Sequence, residues 1–334
     1  LARDPSEWSG RFEAAHQTVA RFFGLDDASE LLLTPGCTSA LSIAVSDLPW
    51  RAGDRALTTG FEHAALERAL AGLGARGVSV DVIPPGADGA IVDPRRLERA
   101  LERGDVRLVA LSAAANATGD VAELPSVIKL TQDYGARVLV DAAQVVGWVD
   151  LDLPALGADL VAFGGHKGLQ GIWGIGGLWA HAGSERAAPR LEGEPAPPGY
   201  CDGGSVDRVA LEALAAAVQW LASPAQRDRL ARARRLAARL EAELEPVLDA
   251  RGLSVRALQP VHRRMPTVAL GGAPDAIVEA RGRLDRAGVV YGAGLQCAPL
   301  AHRTLGTTPQ GTLRFSFGPT SAASDVDAVV GALR

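Results

Sequence analysis

The feature that most restricts this chain is an alternation, from about residue 30 onward, of short apolar runs with stretches of helical period. Val138-Leu139-Val140 and Leu160-Val161-Ala162-Phe163 are apolar without interruption. A strand with one face in water alternates apolar and polar side chains. A continuous run needs cover on both faces, as in a parallel sheet layered by helices. Strands are expected at 55–59, 78–83, 107–112, 137–141 and 159–163, with helices between them at 62–75, 93–103 and 124–134. That order gives the α/β class, a mainly parallel sheet sandwiched by helices.

Trp8, Phe12, Ala15, Val19 and Phe22 recur at helical spacing and predict an amphipathic helix at the start. Residues 187–204, rich in Pro, Gly and Glu, read as a loop leaving the first domain. A helix is expected over 207–221. Ser223-Pro224 then supplies an N-cap and first-turn proline for a long arginine-rich helix. Strands near 267–270 and 312–316 and helices near 275–287 and 321–333 complete a smaller α+β unit. The division expected is 1–25 as a helical segment, 26–206 as the large domain, and 207–334 as a linker helix with the small domain.

Several function classes fall away. A net charge of −5 gives no reason to expect nucleic acid or an anionic membrane as partner. The arginines between 227 and 239 alternate with Leu230, Ala233, Ala237, Leu240, Leu244 and Val247 and read as the solvated face of one helix. No apolar run is long enough to span a membrane, and the first residues do not resemble a signal peptide. Cys37, Cys201 and Cys297 are too scattered for a disulfide framework or a zinc cluster, so a reducing, cytoplasmic setting without metal is expected.

Chemistry concentrates in Val140-Asp141-Ala142-Ala143-Gln144 and in Gly164-Gly165-His166-Lys167-Gly168. Asp141 and Lys167 lie at or just past the carboxyl ends of expected strands, where open parallel sheets bind ligands. A pyridoxal-phosphate site needs a lysine amine to hold the cofactor and a carboxylate to keep its ring nitrogen protonated. Lys167 is one of very few lysines in an arginine-rich chain, and the glycines around it allow close backbone approach.

On these motifs the sequence resembles the class V aminotransferase family of fold-type I pyridoxal-phosphate enzymes, in its cysteine desulfurase and selenocysteine lyase branch. The resemblance implies that Lys167 carries pyridoxal 5′-phosphate as a Schiff base, with Asp141 on the pyridinium nitrogen. Gln144 would contact the phenolic oxygen and His166 the phosphate. Thr34-Pro35-Gly36-Cys37-Thr38-Ser39 matches the turn into a helix whose amides hold the phosphate, which puts Cys37 and Thr38 at the cofactor. The Cys37 and Cys201 thiols themselves read as packing or incidental groups. Glu62-His63-Ala64 matches the segment where a histidine stacks on the ring and shuttles protons. Asn116, in Asn116-Ala117-Thr118-Gly119, matches an asparagine that contacts cofactor or substrate.

In Gly294-Leu295-Gln296-Cys297-Ala298-Pro299 and Gly311-Thr312-Leu313-Arg314, the resemblance makes Cys297 the nucleophile, on a mobile loop, that takes sulfur from L-cysteine. Arg314 would grip the substrate carboxylate. Catalysis then falls to Lys167, Cys297 and His63, in a homodimer that passes sulfur to an acceptor protein.

The chain departs from the family at named positions. Gln296 stands for a histidine, Gly164 for a hydroxyl residue, and Ala113-Ala114-Ala115 for a segment with histidine and serine. Gly171-Ile172 and Trp173 replace a Gly-Pro pair, the segment 190–205 is shortened and altered, and this sequence does not contain the N-terminal Asp-Asn-Ala-Ala-Thr motif, through truncation or through loss. Two other readings stay open. One is a C–S or C–Se lyase, epimerase or aminotransferase in which Cys297 is not a nucleophile. The other is a degenerate protein of the same fold that serves in binding.

Overall fold

In the computed structural model, which describes residues 5–181 and 206–334, the apolar runs form the strands of a seven-stranded sheet. The large domain begins with α1 (Pro5–Phe22), β1 (Leu31–Thr34), α2 (Cys37–Ser46), β2 (Arg55–Thr59), α3 (Ala64–Ala71) and β3 (Ser79–Ile83). It continues with α4 (Pro94–Leu101), β4 (Val106–Ser112), α5 (Leu124–Asp133), β5 (Arg137–Asp141), α6 (Leu153–Leu156), β6 (Leu160–Gly164) and β7 (Gly176–Ala180), and α7 (Arg208–Leu221), expected as a linker helix with the smaller unit, packs into the same core as α1. The smaller unit holds α8 (Arg229–Leu248), β8 (Leu253–Val255), β9 (Thr267–Gly272) and α9 (Pro274–Arg286). After these come β10 (Gly292–Gly294), α10 (Pro299–Thr304), β11 (Thr312–Ser316) and α11 (Ala323–Leu333). The loop expected at 187–204, the altered segment 190–205 and Cys201 lie outside the described residues.

The large sheet has the order β1-β7-β6-β5-β4-β2-β3. Strands β2 to β6 pair in parallel, and β7 runs antiparallel to both β6 and β1. The uninterrupted apolar runs are explained by cover on both faces. Leu108 and Ala110 of β4 join the cluster that holds Leu41 and Val45 of α2 and Leu66 of α3. Val109 and Leu111 point the other way, into the cluster with Ile128 of α5 and Leu211 and Leu214 of α7. In the smaller unit, the antiparallel sheet β10-β11-β9-β8 packs Val268, Leu270, Leu313 and Phe315 against α8, α9 and α11. No helix among the described residues is long and apolar enough to cross a membrane.

The expected strands 55–59, 137–141 and 312–316 match β2, β5 and β11, and the other expected elements fall within a few residues of theirs. The long arginine helix differs. Ser223-Pro224 opens only a short 3-10 turn (Pro224–Gln226), and α8 begins at Arg229. Arg229 is also not on the solvated face. It is buried and donates to the carbonyls of Gly147 and Gln226, tying the start of α8 to the turn that follows β5. The remaining apolar stripe is inward as expected, with Ala233, Ala237, Leu240 and Leu244 buried.

Strands β1, β7, β8 and β10 were not expected. β7 begins Gly176-Gly177, which propensity scores against a strand. Its glycines are there for proximity: a Cβ on Gly176 would lie 2.4 Å from the Phe163 carbonyl oxygen and 2.8 Å from Gly36 Cα. β8 and β10 are three residues each, too short to show a period.

The turn after β5 meets the turn after β6 at glycines of both, with the Trp148 side chain also against Gly168. Gly147 has φ +79°, and a Cβ there would stand 2.2 Å from the Gly168 carbonyl oxygen. Gly147→Ala therefore should lower the unfolding free energy by about 3 kcal/mol, read from urea denaturation followed by circular dichroism. Native stability in that variant would show that the two turns can part.

Candidate active site

Parallel strands end in one direction, so the segments after β2, β4, β5 and β6 share one edge of the sheet. β1 is antiparallel to β7, as β6 is, and so delivers α2 to the same edge. There the chain places α2 itself, His63 after β2, Asn116 after β4, Asp141 and Gln144 at and beyond β5, and Lys167 after β6.

Asp141 ends β5 and is buried. Its Oδ1 accepts from the Ala143 N–H at 2.9 Å and from the Cys37 thiol at 3.4 Å, which leaves Oδ2 for a further donor. Burial first, and then the charge of Asp141, push the Cys37 thiol well above the usual thiol range, so it stays protonated and donates. Cys37, read as a packing or incidental thiol, does pack against the core cluster around α2, and it also donates to Asp141. Cys37 opens α2 behind Gly36, whose lack of a side chain leaves the first-turn amides without a side-chain cap. Thr38 is exposed at the same helix start, and Gln144 is half-buried in the turn after Asp141.

Lys167 is half-buried in a turn closed by Gln170 N–H on the Lys167 carbonyl at 3.0 Å and Gly171 N–H on the Gly165 carbonyl at 2.8 Å. The chain's other lysine, Lys129, is exposed on α5 in an ion pair with Asp133 at 2.9 Å. His166 lies with its ring stacked on Trp173, centroids 4.4 Å apart and planes 15° from parallel. Trp173 is 79% exposed, and sequence reasoning treated it only as a departure from the family.

His63 caps α3: its Nδ1 accepts from the Ala65 N–H at 3.0 Å, which assigns the proton of the neutral ring to Nε2. Burial and then the nearby Lys167 charge lower its pKa, so the neutral form is favoured. Beside it, Glu62, which the sequence shows only as the neighbour of His63 in its motif, is fully buried. Its carboxylate accepts from Thr59 Oγ1 at 2.5 Å, Ser112 N–H at 2.8 Å and Ser112 Oγ at 2.7 Å, joining the ends of β2 and β4. The cost of burial outweighs these donors and raises its pKa to about 7. The available signal was a threonine three residues before a glutamate at the end of an apolar strand.

The smaller unit closes over this edge. Arg314 of β11 donates through Nη1 to the Asn116 carbonyl at 2.5 Å, and Asn116 Nδ2 donates to the Gln296 carbonyl at 2.7 Å. Arg314 Nε and Asn116 Oδ1 are buried without a partner. Burial lowers the Arg314 pKa, and Cys297 acts on it electrostatically. Cys297 is exposed, and its carbonyl accepts from the Ala64 N–H at 2.7 Å, one residue beyond His63. The structure thus joins Asp141 to Cys37, and Asn116 to Arg314 and the Cys297 turn, with His63 between the two groups.

Comparisons with known proteins agree with this architecture. The family profile described as Aminotransferase class-V matches residues 5–329. A probable cysteine desulfurase of Pseudomonas aeruginosa is 31% identical over 97% of the chain and 82% of its own length. A probable cysteine desulfurase of Methanothermobacter thermautotrophicus is 35% identical over 51% of the chain, which spans less than half, 42%, of that relative. Among solved structures, the cysteine desulfurase CsdA of Escherichia coli superposes with a TM-score of 0.85 at 26% identity, covering 99% of this chain and 86% of that one.

Glu62 gives the site a pH signature. A carboxyl raised from 4.5 to about 7 keeps its proton in the fold while the unfolded chain loses it, so its contribution to stability is lost as pH rises through that interval. Glu62→Gln removes the dependence. Relative to the native chain, the variant should gain about 3 kcal/mol between pH 5 and pH 8, measured by chemical denaturation at each pH. A constant difference would place the Glu62 pKa in the ordinary range.

Proposed function

This chain belongs to the aminotransferase class-V family, and from that premise we propose that it is a pyridoxal-phosphate-dependent cysteine desulfurase. Class-V aminotransferases depend on pyridoxal phosphate, and the residues at the sheet edge fit that group. The uncapped start of α2 suits its phosphate, and Asp141 has one oxygen left for the ring nitrogen. Lys167 supplies the amine, while Gln144, His166, Cys37 and Thr38 line the same edge. When bound, the cofactor supplies an electron-withdrawing ring that labilises bonds at the substrate α-carbon.

The observation that carries the reading is the Arg314 Nε, buried without a partner while Nη1 donates to the Asn116 carbonyl. A half-buried guanidinium whose Nε is enclosed and unsatisfied calls for an anion, and a carboxylate answers it with a side-on pair of hydrogen bonds. Arg314 and Asn116 hold the α-carboxylate end of an amino acid, and Cys297 stands exposed beside Arg314. Neutral His63, with its proton on Nε2, moves protons at the substrate. The Cys297 thiolate attacks the substrate sulfur. The S–S bond forms as the carbon–sulfur bond breaks, the carbon gains a proton, and L-cysteine leaves as alanine with a persulfide on Cys297. The same reading extends to a cytoplasmic homodimer and to an acceptor protein whose thiol removes the sulfur.

Cys297→Ala should cut alanine and sulfide release from L-cysteine by roughly a hundredfold or more while the visible band of the bound cofactor stays. Retained release would move the reaction to the lyase reading. Lys167→Ala should abolish that band in the purified protein. A native spectrum would remove Lys167 from the site.

A further inference from the structure

The segment that displays Cys297 is a tight turn. The Ala298 N–H donates to the Leu295 carbonyl at 2.8 Å, and both central residues, Gln296 and Cys297, have positive φ, +48° and +57°. Turns with left-handed residues at both central positions are the province of glycine, asparagine and aspartate. Glutamine and cysteine adopt that backbone at a steric cost, so the surroundings must hold them there. Three bonds do so. Gln296 Nε2 donates to the Thr312 carbonyl at 2.8 Å and to Thr312 Oγ1 at 3.2 Å, Asn116 Nδ2 donates to the Gln296 carbonyl, and the Ala64 N–H donates to the Cys297 carbonyl. The amide orientation of Gln296 is fixed by chemistry, because the flipped form would set its oxygen against the Thr312 carbonyl.

Of these tethers, the one through Thr312 runs to β11, two residues before Arg314. Gln296 therefore couples the position of the thiol to the strand that carries the carboxylate-binding guanidinium. Its carboxamide does not ionise, so the tether is indifferent to pH.

We propose that Gln296 is a positioning residue, holding the Leu295–Ala298 turn so that Cys297 is presented at a fixed distance from a substrate anchored on Arg314. This rests on the desulfurase reading, and the test separates the two. In the cofactor-loaded protein, Gln296→Ala and the isosteric Gln296→Glu should both speed hydrogen exchange at the Ala298 amide at least tenfold, because the glutamate puts an oxygen where a donor is needed. Both should slow persulfide formation on Cys297, measured by cyanolysis, at least tenfold, with KM for L-cysteine within about twofold of native. A Gln296→Glu variant that behaves as native in both readouts overturns the hydrogen-bond tether and leaves only shape. Faster exchange with native persulfide formation overturns the link to reaction. The exchange comparison uses no substrate, so it stands if Cys297→Ala shows that the chain is not a desulfurase.

Discussion

The parallel register of β2, β4, β5 and β6 is the constraint on which the rest of the molecule depends. It makes strand ends coincide: Ser112 of β4 pairs with Asp141 of β5, and Asp141 with Ala162 of β6. Groups more than a hundred residues apart, such as Cys37 and Asp141, are thereby brought to hydrogen-bonding distance without any long-range design beyond strand order. The price is that such an edge leaves backbone and acidic groups in a poorly solvated place. Glu62 addresses this by binding the Ser112 amide and hydroxyl, and glycine addresses it where turns touch, as Gly147 does on Gly168.

Two acids at that edge are sorted by their surroundings. Glu62 has no solvent at all, and burial holds its proton up to about pH 7, with the charge of Asp141 acting in the same direction. Asp141 receives a backbone amide and a thiol that stays protonated. Lys167 in turn helps keep His63 neutral. The charge of Asp141 thus acts on Cys37 and Glu62, and that of Lys167 on His63, so replacing either charge is felt at those neighbours.

Much of this was legible in the sequence because it rested on local pattern. Continuous apolar runs announced strands covered on both faces, and the Asp141 and Lys167 blocks lay where such strands end. What stayed hidden was set by contacts across the chain. β7 is a strand because its glycines let Phe163 and Gly36 approach, which lowers its propensity score. Arg229 looked like any arginine of its helix until the turn after β5 supplied a carbonyl for it. Gln296 read as a loss, the absence of a histidine, because its partner Thr312 is sixteen positions on and nothing local marks the pairing.

The seam between the two units shows why such a pairing matters. Asp120, fully buried, accepts from the Leu258 and Gln259 amides and from Thr118 Oγ1, while the Gln259 side chain bonds both the amide and the carbonyl of Val121. The Met265 N–H adds a bond to the Gly119 carbonyl. These bonds fasten the loop that begins at Asn116 to the smaller unit, and Asn116 in turn receives Arg314. The bonded pair Asn116 and Arg314 thus belongs to neither unit alone. A hinge in that seam would carry Arg314 and Cys297 away from Asp141 and Lys167 together, and these bonds oppose it. A buried aspartate bonded to two amides of the opposite unit does this with charge-assisted hydrogen bonds, which are stronger than those of a neutral acceptor.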